Sequence, residues 1–161
     1  MRIRENHEYA HGTDALYALF TDIREVEAKM EALGARNIEI EECELYEDGA
    51  VVSFVREMSA EVPGILSKFL QPWNTVGQAE NWRDCGDGVY EADLDIDIAN
   101  VPVTITGTLR LEPIDGGCIN HVQVTVECGI PFVGKTLAEF VASDCARLIE
   151  EEYEYLTERL G

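Results

Sequence analysis

The chain has 161 residues, 46% of them hydrophobic, which is the size and composition of one globular domain. Its 32 acidic residues outnumber the 12 lysines and arginines, and the formal net charge is −20 at pH 7. Such a charge excludes nucleic acid and anionic lipid surfaces as partners, because both are bound through basic patches. It is compatible with simple solubility and also with adaptation to high salt.

No apolar run approaches the ~20 residues needed to cross a bilayer, so we expect no integral membrane association. The first residues, MRIRENHEYAHG, lack the apolar segment of a secretion signal, and we expect a cytoplasmic protein. Five cysteines without a CxxC pair predict reduced core residues rather than disulfides or structural zinc.

The first predicted strand runs from Arg2 to Tyr9, and its alternation places four side chains on one face: Ile3, Glu5, His7 and Tyr9. Histidine is readily tuned for proton transfer near neutral pH, and a carboxylate on the same face can orient it. Glu5 and His7 are therefore the candidate catalytic acid–base pair. The alternative is that this strand lies near a sheet edge and that both side chains are solvated.

Two short helices are predicted after this strand. The first runs from Ala15 to Phe20 and is capped by Thr13 or Asp14. The second runs from Glu25 to Leu33, follows a cap at Thr21-Asp22, and ends at Gly34. The pair lacks the basic face of a DNA-reading helix pair, so a packing role is expected.

Six more strands, separated mostly by tight turns, are predicted between residues 36 and 128. Their bounds are Arg36 to Tyr46, Ala50 to Met58, Trp73 to Cys85, Tyr90 to Ile98, Val101 to Leu111 and Cys118 to Cys128. Together with the first strand they predict a seven-stranded antiparallel sheet with one apolar face. Gly107 falls on that face, where it indicates a bulge or a bend.

The alternation assigns most strands to an inner and an outer face. Asn120 shares the inner face with Val122 and Val124. One strand exposes four carboxylates on its outer face: Glu91, Asp93, Asp95 and Asp97. The strand from Ala50 to Met58 is apolar on both faces, so either Phe54 and Arg56 or their neighbours point inward.

Residues 58 to 73 interrupt the series of hairpins. Pro63 and Pro72 bracket a short apolar helical turn that contains Ile65, Leu66, Phe69 and Leu70. A connection of this length between adjacent strands is usually packed as a flap, and it could cover a cavity.

A long amphipathic helix is predicted from Phe132 to Leu160, between Pro131 and Gly161. Its apolar side chains recur at intervals of three and four residues, which places them on one stripe. They are Val133, Leu137, Phe140, Val141, Cys145, Leu148, Ile149, Tyr153, Leu156 and Leu160. A stripe of this length needs a broad apolar partner, which the inner face of the sheet provides.

This order of elements resembles the START-like (SRPBCC, helix-grip) superfamily, which includes birch-pollen-allergen relatives, polyketide cyclases and dehydratases, and lipid-transfer domains. Three runs look like those of a bacterial family within it that is known only as a domain of unknown function: ALYALFTDIREVEAKMEALGARNIE, VPVTITGTLRL and IPFVGKTLAEF. The resemblance implies an α+β helix-grip fold for a single domain over residues 1–161. A curved sheet would surround the terminal helix and leave a cavity. The resemblance implies no catalytic residues.

Thirteen side chains are candidates for contact with a small hydrophobic ligand, lipid-like or aromatic and polyketide-like. They are Tyr9, Phe54, Arg56, Phe69, Tyr90, Leu94, Ile96, Val103, Ile105, Val124, Leu137, Phe140 and Val141. Arg56 would anchor an acidic head group.

Binding or transport of such a ligand is the leading functional hypothesis. One alternative is a cyclase- or dehydratase-type enzyme that uses Glu5 and His7. Another is a non-catalytic interaction domain with an acidic face for a basic partner. No cofactor motif is present, and His7 and His11 straddle a strand end, so no metal site is expected. The sequence does not fix the oligomeric state.

Overall fold

The computed structural model describes residues 1–161. Strands β1 to β7 have the bounds Arg2–Tyr9, Arg36–Tyr46, Gly49–Ser59, Trp73–Gly86, Val89–Ile98, Thr104–Ile114 and Gly117–Glu127. Helices α1, α2 and α3 have the bounds Thr13–Thr21, Ile23–Ala32 and Gly134–Leu160. The predicted α+β helix-grip architecture, with two short helices after the first strand and one long helix at the end, is confirmed.

All seven strands form one antiparallel sheet in the order β1-β7-β6-β5-β4-β3-β2. Helices α1 and α2 carry the chain from β1, at one edge, to β2 at the other. Successive side chains of a strand point to opposite faces, so each strand contributes every second residue to the inner face. In β5, for example, Ala92 and Leu94 are buried, whereas Asp93 and Asp95 are exposed.

Helix α3 packs on the inner face mainly against β1, β7 and α2. Its first turns are firmly anchored, since Leu137 and Val141 are buried. Two ion pairs join it to α2: Lys29 with Glu152 at 2.7 Å and Arg159 with Glu25 at 2.6 Å. The apolar stripe in the middle of the helix is only half buried, at Cys145, Leu148, Ile149 and Tyr153. The helix therefore rests on one edge of the sheet and stands away from its centre.

Several predicted boundaries differ from those of the structure, and three of the differences have identifiable local reasons. Strand β6 begins at Thr104 rather than Val101, because Asn100 has a φ of 63° and the Val101 N–H donates back to the Ile98 carbonyl. Helix α3 begins at Gly134 rather than Phe132, which has a φ of 68° that no α-helix contains. Helix α1 begins at Thr13, and neither Thr13 nor Asp14 caps it: the cap position is Gly12.

The cap of α2 was predicted correctly. The Asp22 carboxylate accepts hydrogen bonds from the N–H groups of Arg24 and Glu25, and Gly34 follows the helix with a φ of 92°. Gly107 is not a bulge, since its strand pairs in unbroken register on both sides. Instead a Cβ atom there would lie 2.6 Å from the Gln123 carbonyl oxygen, so only glycine permits this close approach.

The ambiguity of β3 is resolved in favour of Phe54 and Arg56, which are both buried on the inner face. The segment from residue 60 to residue 72, the flap, lies closed over the sheet. The Ala60 N–H donates to the Pro72 carbonyl at its base, and its side chains Leu66 and Leu70 are buried in the core. Ile65, by contrast, is exposed.

None of the helices combines the length and the apolar composition that a membrane-spanning helix requires.

Candidate functional site

A cavity of about 140 Å³ lies between the inner face of the sheet and α3. Of the 31 residues that line it, 22 are hydrophobic, so its wall is mainly apolar. On α3 the lining residues run from Phe140 to Leu156, and at 1.5 Å per residue this stretch is about 24 Å long. The cavity therefore extends along several turns of α3, and it is partly open to solvent.

The structure places eight of the thirteen predicted ligand-binding side chains on this wall: Tyr9, Arg56, Leu94, Ile96, Ile105, Val124, Phe140 and Val141. Leu70 and Ala60 of the flap also line the cavity, as the prediction of an apolar cover requires.

The other five predicted side chains do not line the cavity. Phe54 and Leu137 point inward but are completely enclosed by other core residues. Phe69 packs against the core within the flap, and Val103 lies in the turn before β6 rather than in the strand. Tyr90 stacks on Tyr17 at 4.1 Å and donates its hydroxyl proton to Asp14, which holds it outside the cavity.

A line of polar side chains crosses the inner face of β3 and β4. Arg56 donates from Nη2 to the Gln78 Oε1 at 3.0 Å, and Gln78 donates in turn to Glu80 at 2.6 Å. Trp82 donates from its indole N–H to the second oxygen of Glu80 at 3.0 Å. These bonds fix the orientation of each member, yet the Nε of Arg56 has no partner.

Burial sets the protonation behaviour of this line. It raises the pKa of the Glu80 carboxyl, an effect opposed by the nearby charge of Lys29 and by the hydrogen bond from Trp82. It lowers the pKa of Arg56 to about 10, so the guanidinium stays positively charged at neutral pH. Because no carboxylate lies within 4.0 Å of Arg56, this buried cation has no ion-pair partner.

His7 projects into the opposite part of the cavity, from the edge strand β1. Its ring stacks on Tyr153 with centroids 4.1 Å apart, and its Nε2 atom lies 3.9 Å from a Glu150 oxygen, too far for a hydrogen bond. Burial lowers the pKa of His7, more than the nearby carboxylates raise it. Glu5 is exposed and influences His7 only through its charge, so the candidate pair does not form a hydrogen-bonded dyad.

Asn120 lies on β7 directly opposite His7 in the pairing register. It is buried on the inner face, as its alternation predicts, and its Oδ1 atom has no hydrogen-bond partner. The buried side-chain nitrogen and oxygen atoms that lack a partner are thus three, and all belong to the cavity wall: His7 Nε2, Arg56 Nε and Asn120 Oδ1.

Several lining residues were not predicted from the sequence, notably Gln78 and Glu80 on β4, Phe20 on α1 and Met30 on α2. Strand β4 carries polar residues on both faces, so alternation alone does not reveal its inner side. The pairing with β3 identifies the inner face of β4, because Gln78 lies opposite Phe54, which is buried on the inner face. No group of three or more His, Cys, Asp or Glu side chains is arranged to hold a metal ion.

The model of a family described as "Protein of unknown function (DUF2505)" matches residues 4–160. An uncharacterized protein of Mycobacterium tuberculosis, Rv0481c, is 28% identical over 115 residues, which make up 69% of this chain and 66% of that protein. An uncharacterized protein of Mycobacterium bovis, Mb0491c, matches to the same extent. The chain thus spans slightly less than two thirds of the length of these relatives.

Among solved structures, the protein TTHA0849 from Thermus thermophilus is similar with a TM-score of 0.68 at 18% identity, covering 99% of this chain and 96% of that one. A STAR-related lipid transfer protein fragment from Xanthomonas axonopodis has a TM-score of 0.61 at 14% identity, with 96% and 85% covered. Human STARD10 has a TM-score of 0.59 at 10% identity, with 96% and 62% covered. At these identities the likeness shows a shared START-like fold.

Proposed function

The chain belongs to the DUF2505 family, and we propose that it binds a small, mainly apolar molecule in the cavity between the sheet and α3. The observation that supports this proposal is a mainly apolar cavity whose wall includes three buried side chains that carry polar atoms without partners. Buried polar atoms are costly unless they are hydrogen-bonded, and a bound molecule with polar groups would satisfy them. The name of the Xanthomonas neighbour, a lipid transfer protein, is consistent with such a ligand.

The dimensions of the cavity favour a slender ligand. An apolar cavity of about 150 Å³ can hold benzene, and here a similar volume of about 140 Å³ is spread along several turns of α3. A medium-length acyl chain fits that shape, whereas a rigid polycyclic molecule would require α3 to move away from the sheet.

Apolar burial alone gives modest affinity. About six buried methylene groups contribute ~5 kcal/mol, while the loss of freedom on association costs ~4–15 kcal/mol. Useful affinity therefore requires polar anchors, and Arg56 is the strongest of those on the wall because it is buried and positively charged.

Calorimetric titration with octanoic acid tests this function. We expect saturable binding of one molecule per chain. Leu148→Trp, which places an indole in the cavity, should weaken binding at least about tenfold. Ser143→Trp is the matched control, because Ser143 lies on the exposed face of the same helix, and it should bind as the unmodified chain does. Equal affinity of both variants would contradict the proposed site.

A second candidate function is a cyclase- or dehydratase-type reaction in which His7 accepts a proton from the bound molecule. It is favoured by one observation: the buried His7 ring keeps a nitrogen without a partner and has a lowered pKa, so it is a neutral base at pH 7. Turnover that is lost in His7→Phe while octanoic acid still binds would support it. Turnover that survives in this variant would exclude His7 as the base.

A further inference from the structure

The three unpartnered polar atoms of the cavity wall come from two separate parts of the sheet. Arg56 belongs to β3, near one edge, whereas His7 and Asn120 belong to β1 and β7 at the other. Strand β4 continues the polar end at Arg56, since it contributes Asn74, Gln78 and Glu80 beside Val76. Strands β5 and β6 contribute only apolar side chains to the wall, namely Leu94, Ile96, Ile98, Ile105 and Leu109. The cavity thus has two polar ends and an apolar centre.

The end at Arg56 recognises an oxygen that accepts a hydrogen bond. A guanidinium group has only donors, and each of its two terminal nitrogens already makes one hydrogen bond, to the Val76 carbonyl and to Gln78. The Nε atom is buried and makes no hydrogen bond. A carbonyl or carboxylate oxygen of a ligand would accept a hydrogen bond from this N–H group and add to the stabilisation that the nearby carboxylate of Glu80 gives the positive charge.

The end at His7 and Asn120 recognises a different group. Residues directly opposite on antiparallel strands have Cβ atoms about 5 Å apart, so one ligand group can reach both side chains. A hydroxyl group would donate to the Asn120 Oδ1 and accept from the His7 Nε2 when that nitrogen carries the ring proton. A carboxylate is disfavoured, because Asn120 Oδ1 is itself an acceptor and a Glu150 oxygen lies 3.9 Å from His7 Nε2.

We propose that the ligand is a linear apolar molecule with a hydroxyl group at one end, held between His7 and Asn120, and a carbonyl or carboxylate oxygen at the other, held by Arg56. This proposal rests on the binding function proposed above and defines its ligand class. Each end of such a molecule satisfies protein atoms that have no other partner, and its chain contacts only the apolar centre of the cavity.

Calorimetric titrations with four eight-carbon probes test the proposal: ω-hydroxyoctanoic acid, octanoic acid, n-octanol and ω-aminooctanoic acid. The hydroxy acid should bind about tenfold more tightly than octanoic acid, which is the effect of one additional satisfied hydrogen-bonding site. Asn120→Leu should abolish this difference, because the hydroxyl group then has no amide oxygen to which it can donate.

The opposite end is tested by Arg56→Met and Arg56→Lys. Both variants should weaken binding of the two acids about tenfold or more, because methionine removes the charge and the donors, and lysine keeps the charge but lacks the Nε donor. Binding of n-octanol, which has no carboxylate, should weaken much less. The lysine variant keeps the test decisive if the methionine variant fails to fold, and thermal unfolding monitors both.

The outcomes separate the ligand class from the binding function. If octanoic acid and n-octanol bind, and Leu148→Trp blocks them, but the hydroxy acid has no advantage, the ligand class is wrong and the binding function stands. Tighter binding of the amino acid probe than of the hydroxy acid also overturns the ligand class. If no probe binds, both proposals fall.

Discussion

His7 has an unusual environment for a histidine on an edge strand. It is 5% exposed, it stacks on Tyr153, and its Nε2 atom has no partner. Edge position alone indicates solvated side chains, and this holds for Glu5 but not for His7. The difference arises because the C-terminal half of α3 covers one end of β1 through Tyr153, whose hydroxyl donates to the Glu8 carbonyl.

The lowered pKa of His7 makes folding stability depend on pH. The pKa of this imidazole is lower in the folded state than its unfolded value of 6.5, so the folded state binds fewer protons than the unfolded state does. The free energy of unfolding is therefore highest above the unfolded pKa and falls as the pH drops through it towards the folded pKa.

We predict that His7→Phe, which preserves the stacking on Tyr153, removes this part of the pH dependence. Denaturant unfolding at several values between about pH 7 and pH 5 measures it, above the range in which ordinary carboxylates titrate. The unmodified chain should lose more stability over this interval than the variant. Parallel losses in the two proteins would mean that His7 is not the group responsible.

The polar residues of β4 show why single side chains are difficult to assign from a sequence. Its inner face reads Asn74, Val76, Gln78, Glu80 and Trp82, and its outer face is equally mixed. A buried Glu80 is tolerated only because Trp82 and Gln78 donate to it and because Lys29 lies nearby. Those partners are brought together by strand pairing and by α2, so they cannot be predicted from the alternation of residues in β4 alone.

At the level of elements, α3 is packed into the core at its first turns and borders the cavity in its middle. Leu137 is completely buried and does not touch the cavity, whereas Leu148 lines it and is only half buried. The amphipathic pattern predicts one continuous stripe and cannot separate the two, because both leucines satisfy it equally. The distinction depends on where the sheet curves away from the helix.

This division predicts unequal costs of truncation. Leu137→Ala should lower the free energy of unfolding by about 2–5 kcal/mol, the usual effect of emptying a packed leucine site. Leu148→Ala should cost about 1 kcal/mol, since its side chain already borders open space. Chemical denaturation of the two variants provides the comparison. Similar losses would indicate that α3 is packed evenly along its length and would argue against the cavity.

Elements with strong local signals were predicted closely, and those set by backbone conformation were not. The Asp22 cap and Gly34 fix α2 through bonds between neighbours in sequence. The starts of β6 and α3 depend instead on Asn100 and Phe132, which adopt positive φ values. Asparagine is enriched in this conformation but adopts it in a minority of cases, and phenylalanine adopts it rarely. The pattern therefore predicts Val103 on a strand face, although Val103 precedes the first residue of β6.

At the level of the whole molecule, the acidic charge is partly neutralised on the outer face of β5. Glu91 on the outer face of β5 pairs with Arg83 and Arg110, and Asp93 pairs with Arg83. Of the four carboxylates on that face, Asp95 and Asp97 remain outside this network of ion pairs. This arrangement weakens the hypothesis that the outer face binds a basic partner, because half of these carboxylates are already paired within the chain.

The fold followed from the sequence because alternation, turns and one long amphipathic helix all specify the same architecture. The cavity could be predicted from the sequence only in part. Its apolar centre comes from inner-face positions such as Leu94 and Ile105, which the alternation identifies. Its polar ends depend on which strands meet and on the height of α3 above them, and these are properties of the assembled sheet.

The central claim is that an apolar chain enters between the sheet and α3, and nuclear Overhauser effects from the ligand measure this most directly. With methyl-labelled protein and bound octanoic acid, we predict contacts from the ligand chain to the methyl groups of Leu94, Ile105, Val124 and Val141. All four line the cavity and are buried. Contacts confined to exposed methyl groups such as those of Ile65, or no contacts at saturating ligand, would contradict the account.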